Sequence, residues 1–193
     1  MLQKMKSIGK RRYLEINNDL MPIETKSNGK SGYKNTFGLY DIYFPSSTKE
    51  SIRLNKDGHT MSLLPNDLKW EDMEVEENQV FVPSQTDGIT YVYSVNNTGL
   101  KEDIILNYQT DKKNFTYELV VDSKYQVYAQ NNMLYVQGKN SKTVYYTLSA
   151  PYMMDREGNV SHNISLEVEQ NGGKYLVTVT PDQDWLKEET RAY

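Results

Sequence analysis

The run ISLEVE, at positions 164–169, puts Ile164, Leu166 and Val168 at every second place and fills the gaps with Ser165, Glu167 and Glu169. Only an extended strand gathers such a set on one face, because successive side chains leave the pleat on opposite sides. The later run KYLVTVT, 174–180, is rich in β-branched and aromatic residues, and QNGG lies between the two. Asn171 and Gly172 supply the positive φ values of a tight hairpin turn. The pair predicts an antiparallel hairpin.

The same alternation recurs along the chain. ESIRLNKDGHTMSLLP predicts a strand, a turn at Asp57-Gly58 and a second strand. GITYVYSVNN, KEDIILNY, NFTYELVV, YQVYAQ, MLYVQG and KTVYYTLS are further short runs, with Asn131-Asn132 turning one pair. NTFGLYDIYFPSS is another strand candidate, ended by Pro45. The expected fold is all-β, an antiparallel β-sandwich of about 10–13 strands. Its inward positions are Tyr91, Tyr93, Ile104, Leu106, Leu119, Val144, Leu148, Leu166, Val168, Val177 and Val179. Gly99 and Gly158 are expected in turns.

Helix signals are sparse. In PNDLKWEDMEVEEN the apolar Leu68, Trp70, Met73 and Val75 follow no clean helical period, which allows a turn or two. In TPDQDWLKEETRAY, Pro181, Asp182 and Asp184 suit a first turn, so a short helical turn is expected over 182–189 with Trp185 as a lid on one end of the core. No repeat of fixed period is present. Residues 1–12 form a basic segment expected to fray, and 13–193 a sandwich module, either whole or as two subdomains dividing near 84–88.

Sixteen Tyr in 193 residues suit half-buried strand positions and argue against disorder. A formal net charge of -4 argues against nucleic acid as a partner, since phosphate binding needs clustered Lys and Arg. The one basic run is QKMKSIGKRR, at 3–12, a solvated terminus or a polybasic anchor. With no Cys, disulfides and thiolate metal sites are excluded. No run reaches the roughly 20 apolar residues of a membrane span, and no apolar stretch of signal-peptide type follows the first basic residues.

Candidate chemistry is thin. His59 and His162 are the only histidines, and neither lies in a nucleophile or metal motif, so both are expected to be structural or at the surface. Glu71, Asp72, Glu102, Asp103 and Glu118 could pair for acid–base work, but spacing brings no two together, and Glu102 and Asp103 leave opposite strand faces. Solvated strand edges account for them. In APYMMDREGNVS, at 150–161, Asp155, Glu157 and Asn159 alternate around Gly158 as calcium ligands would, yet no closing acid follows. A polar turn is expected, a weak cation site being the alternative. No catalytic, cofactor or metal residue is assigned.

Three segments in order, TGLKEDIIL (98–106), APYMMDREGNVS and TVTPDQDWLKEETRAY (178–193), resemble a region of large secreted proteins of Gram-positive bacteria. These are the wall-associated and Rhs-repeat proteins, in which the segment precedes a DNRLRE domain. FGLYDIYFPSSTKESIRLNKDGHTMSLLP is similar to the family's preceding segment, with Met61-Ser62-Leu63 where the family ends on an aromatic residue. The resemblance implies a non-catalytic structural β-module of an extracellular or wall-associated chain, without a cofactor, whose partners are neighbouring domains of the same polypeptide. The alternative is a carbohydrate-binding module that stacks exposed Tyr of VYYT and ITYVY on wall or host glycans; an enzyme is the third possibility. On these expectations the chain is no enzyme and meets no nucleic acid.

Overall fold

A strand with one apolar face needs a second layer over it. The computed structural model describes residues 20–25, 30–35, 38–46 and 50–187. Its strands are β1 (Leu20–Thr25), β2 (Lys30–Asn35), β3 (Asp41–Pro45), β4 (Ile52–Lys56), β5 (His59–Pro65), β6 (Glu74–Glu76), β7 (Gln79–Pro83), β8 (Ile89–Asn96) and β9 (Gly99–Leu106). The chain continues through β10 (Phe115–Val121), β11 (Tyr125–Gln130), β12 (Met133–Gly138), β13 (Val144–Leu148), β14 (Met153–Met154), β15 (Val160–Ser161), β16 (Ile164–Asn171) and β17 (Lys174–Pro181). One helix, α1 (Gln183–Lys187), follows, and a single 3-10 turn spans Trp70–Asp72. The fold is all-β and antiparallel. Among the described residues it holds 17 strands, more than sequence patterning counted, because pieces as short as β6, β14 and β15 carry too few residues to show a period. The basic segment 1–12 lies outside the described residues.

Eight strands form the large sheet, in the order β1-β2-β3-β4-β5-β10-β17-β16. The turns follow the sequence: Asp57 and Gly58 (φ 53° and 80°) join β4 to β5, and Asn131 and Asn132 (φ 53° and 57°) join β11 to β12. Both central residues of each turn have positive φ, as a two-residue hairpin with right-twisted strands requires. Gly172, at φ 62°, serves the β16–β17 hairpin.

Register lines the apolar residues into rows on one face of this sheet. Ile52, Leu63, Leu119 and Tyr175 run straight across four strands. Beside them lies Pro65–Tyr117–Val177–Val168. Two smaller sheets cover the rows. The four-stranded sheet β6-β7-β8-β9 brings Tyr93 to Phe44 and Tyr91 to Phe115, with ring centroids 5.7 and 6.2 Å apart. The three-stranded sheet β11-β12-β13 is tied down by Tyr146, whose hydroxyl donates to the Leu54 carbonyl at 3.1 Å. Asn132 fastens it to β16, donating to the Ile164 carbonyl at 2.6 Å and accepting from the Leu166 amide at 3.4 Å. The opposite face of the large sheet carries polar pairs such as Arg53, whose guanidinium sits 4.2 Å over the Tyr43 ring. One wet and one covered face is the usual state of an antiparallel sheet.

Tyr91, Tyr93, Leu119, Leu166 and Val177 are buried as expected, and Ile104, Leu106, Leu148, Val168 and Val179 are half-buried against the core. Val144 is not. It is 42% exposed, because the β12–β13 register shifts between Val136 and Gln137. Tyr146 then pairs with Val136 on the inner side while Val144 pairs with Gln137 on the outer. The extra residue of the bulge, Tyr145, turns toward His59, with ring centroids 4.1 Å apart. Trp185 is half-buried, and Leu186 beside it is the side chain that enters the interior. Trp70, at 1% exposure, is among the largest buried side chains, although its segment shows no period. The helix begins where Asp182 Oδ1 accepts from the amides of Asp184 and Trp185 at 2.9 and 3.1 Å; residue 189 lies outside the described residues.

Leu119, fully buried at the centre of the rows, sets the test of this packing. Leu119→Ala should cost about 2–5 kcal/mol. Urea titration followed by tyrosine fluorescence should show a lower midpoint and an unchanged slope; a midpoint equal to the parent's would mean the rows are not the core.

Candidate functional site

Strand β9 is an edge of its sheet, and register sets which of its side chains face in. Leu100, Glu102, Ile104 and Leu106 pair with Val95, Tyr93, Tyr91 and Ile89, all buried. Glu102 therefore occupies a core-facing position. An inward carboxylate on an edge strand also discourages pairing with a foreign strand. Across the layer gap the Tyr117 hydroxyl of β10 donates to Glu102 Oε2 at 2.8 Å. Glu102 Oε1 and Tyr93 Oη are sealed from solvent and make no hydrogen bond of good geometry.

Burial pushes the Glu102 carboxyl up to about 7; the Tyr93 and Tyr117 hydroxyls pull it part of the way back, and Asp103 and Asp67 push it up again. Burial, then the charge of Glu102, holds the phenols of Tyr93 and Tyr117 well above their usual range, so both remain donors.

Asp67, in the loop after β5, adjoins this group through Tyr91, whose hydroxyl donates to Oδ1 at 2.8 Å. Asp67 Oδ2 accepts from Ser84 Oγ at 2.8 Å and from the Lys112 ammonium at 2.5 Å. Burial, followed by the Asp67 charge, raises the Tyr91 phenol too. The layers thus bring together two carboxyls, one ammonium and three phenols, with the Asp67 and Lys112 side chains partly exposed. Glu102 can hold or release a proton near neutrality, but the phenols close over it.

A second cluster lies under β11 and β13. The His59 ring packs on Tyr145, and its Nδ1 shares a hydrogen bond with the Tyr125 hydroxyl. Tyr146 donates to the His59 carbonyl, and burial raises its phenol to about 12. Beside this cluster is a hollow of about 280 Å³ lined by residues that include Gly58, Thr60, Asp122, Lys124 and Tyr125. Another, of about 410 Å³, is lined by Asp182, Asp184, Trp185 and Lys187. Neither is lined by Glu102 or Asp67.

The remaining sequence candidates disperse. His162 is exposed, its ring centroid 6.1 Å from that of Tyr152. Glu71 and Asp72 are exposed in the 3-10 turn. Asp103 faces outward and bonds Lys101 at 2.6 Å, and Glu118 bonds Lys174 at 2.6 Å on the wet face of the large sheet. Asp155 accepts from the amides of Glu157 and Asn159 at 3.0 and 2.9 Å and from Asn159 Nδ2 at 2.8 Å, with Gly158 at φ 91°. Its carboxylate is thus engaged by its own turn. Among the described residues no group of three His, Cys, Asp or Glu is placed to hold a metal ion.

Glu102 alone of the five acids enters the interior, and the neighbouring pair Asp67 and Lys112 was not singled out in the sequence. The signal for Glu102 was its phase: it stands two places before Ile104 in KEDIIL. Nothing local marks Asp67, which reaches Lys112 only through the fold.

The raised carboxyl has a stability consequence. Folded, Glu102 titrates near 7, and unfolded near 4.5, so between these values the folded state binds the extra proton. Stability is highest at and below the lower value, falls as pH rises through the window, and levels off above it, by about 3 kcal/mol in all. Glu102→Gln should flatten this slope in denaturant titrations across that window; a slope equal to the parent's would place the titrating group elsewhere.

No protein-family model matches the chain, and no solved structure matches it. Curated relatives do. The chain is 25% identical over 189 residues to the "tRNA nuclease WapA" of Bacillus subtilis (strain 168), an alignment that covers 94% of this chain and 8% of that protein. The same figures hold for the "tRNA(Glu)-specific nuclease WapA" of Bacillus subtilis subsp. natto and the "tRNA3(Ser)-specific nuclease WapA" of Bacillus spizizenii. The chain spans about 8% of the length of the curated relatives it matches. Their names overturn the expectations of a non-catalytic structural module or a glycan-binding one, of no enzyme and of no nucleic-acid partner. Net charge is a weak guide here, being a sum over the whole surface, whereas a phosphate meets only the few charges near it.

Proposed function

We propose that this chain serves a nuclease directed at tRNA, and that its own part in that protein is to engage the RNA. One observation carries this: similarity runs along 94% of the chain to proteins named for tRNA cleavage. Cleavage of a phosphodiester through the neighbouring 2′-hydroxyl needs a base, an acid and a cation at the phosphate. Glu102, Asp67 and Lys112 are groups of those kinds. Tyr117 covers Glu102, and Asp67 and Lys112 are engaged with each other, so a phosphodiester meets the outer surfaces of the sheets more readily than this cluster. The resemblance of TGLKEDIIL, APYMMDREGNVS and TVTPDQDWLKEETRAY to wall-associated and Rhs-repeat proteins supports an extracellular, wall-associated setting.

The natural protein that contains this chain should cut labelled tRNA into discrete fragments, and removing residues 20–187 should raise KM more than it lowers kcat. Intact tRNA after incubation with the natural protein, or cleavage unaltered by the deletion, would overturn the proposal.

A further inference from the structure

The outward face of the β11–β13 sheet differs from every other surface described above. Alternation sends Val127, Leu134, Val136 and Tyr146 inward, so Gln126, Tyr128, Tyr135 and Gln137 point away from the core. Tyr128 and Tyr135 are directly opposite on adjacent strands, their rings stacked at 5.3 Å and 21°. In the next row the Gln126 amide donates to Gln137 Oε1 at 2.9 Å, and Gln137 donates to the Lys142 carbonyl at 3.0 Å. The bulge that turned Tyr145 inward also leaves Val144 and Thr147 exposed on this side. The result is a pair of mutually stacked, half-buried rings beside a pair of bonded amides.

Charge singles out the same sheet. Positions 123–154 hold Lys124, Lys139 and Lys142 and neither Asp nor Glu, in a chain with 26 acidic residues. The lysines are gathered at one end: the Lys139 amide donates to the Lys124 carbonyl at 2.9 Å, and Lys142 follows in the β12–β13 turn. A basic end beside an aromatic and amide face suits a ligand with phosphates along one side and planar polar rings along the other. Unpaired RNA bases are such rings, stacking on aromatic side chains while amides meet their edges. A glycan fits less well. Its hydroxyls are held best by carboxylates, which this sheet lacks, and it has no charge for the lysines. Duplex RNA hides its base faces and has nothing to stack.

We infer that the outward face of β11–β13 binds single-stranded RNA, with Tyr128 and Tyr135 stacking two bases and Lys139 and Lys142 holding the adjoining phosphates. This rests on the tRNA-nuclease reading and narrows it: the part of tRNA that is met is an unpaired loop or end.

The test is fluorescence anisotropy of the 193-residue chain with a labelled oligouridylate and with labelled tRNA. Each ring removed in Tyr128→Ala and Tyr135→Ala should weaken binding about tenfold. Tyr→Phe at the same positions keeps the stacking surface and should bind as the parent does, with thermal melts confirming that every variant is folded. Lys139→Ala with Lys142→Ala should lower the slope of log affinity against log salt by about 1.4. Folded alanine variants that bind oligouridylate as tightly as the parent would overturn the inference, as would binding of a peptidoglycan fragment in place of RNA. Cleavage of tRNA by the natural protein, measured in parallel, separates the two proposals. Cleavage with KM unaltered by the tyrosine substitutions sinks the stacking surface and leaves the nuclease reading standing. Stacking-dependent binding without any cleavage by the natural protein supports the surface and sinks the nuclease reading.

Discussion

The large sheet carries apolar residues in register across strands as far apart in sequence as β3 and β17, and the rest of the molecule is arranged to keep that face from water. Rows such as Ile52–Leu63–Leu119–Tyr175 depend on every strand holding its phase, since a one-residue slip would turn the whole set outward. The cover comes from two smaller sheets placed side by side. Tyrosine serves both jobs at once: its ring packs in the gap, and its hydroxyl finds a carbonyl or carboxylate at the far side. Tyr146 on the Leu54 carbonyl and Tyr117 on Glu102 are such cross-layer ties, and they stand in for the disulfides that a chain without Cys cannot form.

That construction explains the acid trapped inside. The alternation of β9 cannot be interrupted without turning Leu100, Ile104 and Leu106 outward, so the residue between them is carried in with the rest. Being Glu, it keeps its proton to nearly neutral pH and takes a phenol as donor. Asp67, partly exposed in the loop after β5, has Lys112, Tyr91 and Ser84 as partners. One carboxyl is accommodated by protonation and its neighbour by pairing, which are the two ways a folded interior tolerates an acid.

The functional inferences come from the outside of the cover. Of the two covering sheets, β11–β13 combines stacked rings, paired amides and an acid-free run with its lysines at one end, in a protein whose overall charge is negative. The bulge in β13 is the local cause. By adding one residue it sends Tyr145 to the His59 cluster, and the outward face keeps Tyr128 and Tyr135 as its aromatic pair. The tyrosines of VYYT and ITYVY that suggested sugar stacking in the sequence are turned inward, Tyr91, Tyr93 and Tyr146 being buried and Tyr145 packed on His59, so the outward aromatic pair is a different one.

The sequence by itself determined the longer strands, the facing of most of their residues and several of the turns. Period-two alternation and residues such as Gly172, Asp57 and Gly58 act over a few positions, where local sterics decide the outcome, although Asn171, expected in the turn, ends strand β16 instead. It also carried the C-terminal helical turn through Asp182 and its neighbours. Only the tertiary structure decided that Glu102 meets Tyr117 and that Asp67 meets Lys112, 45 positions away. It likewise decided that Val144 lies outside, because a bulge is defined by the partner strand and not by the strand that contains it. Trp70 is the same case in the core, a buried ring whose segment shows no period because its burial comes from the sheets around it. Contacts between layers join residues distant in the chain, and no window of the sequence is wide enough to contain both partners.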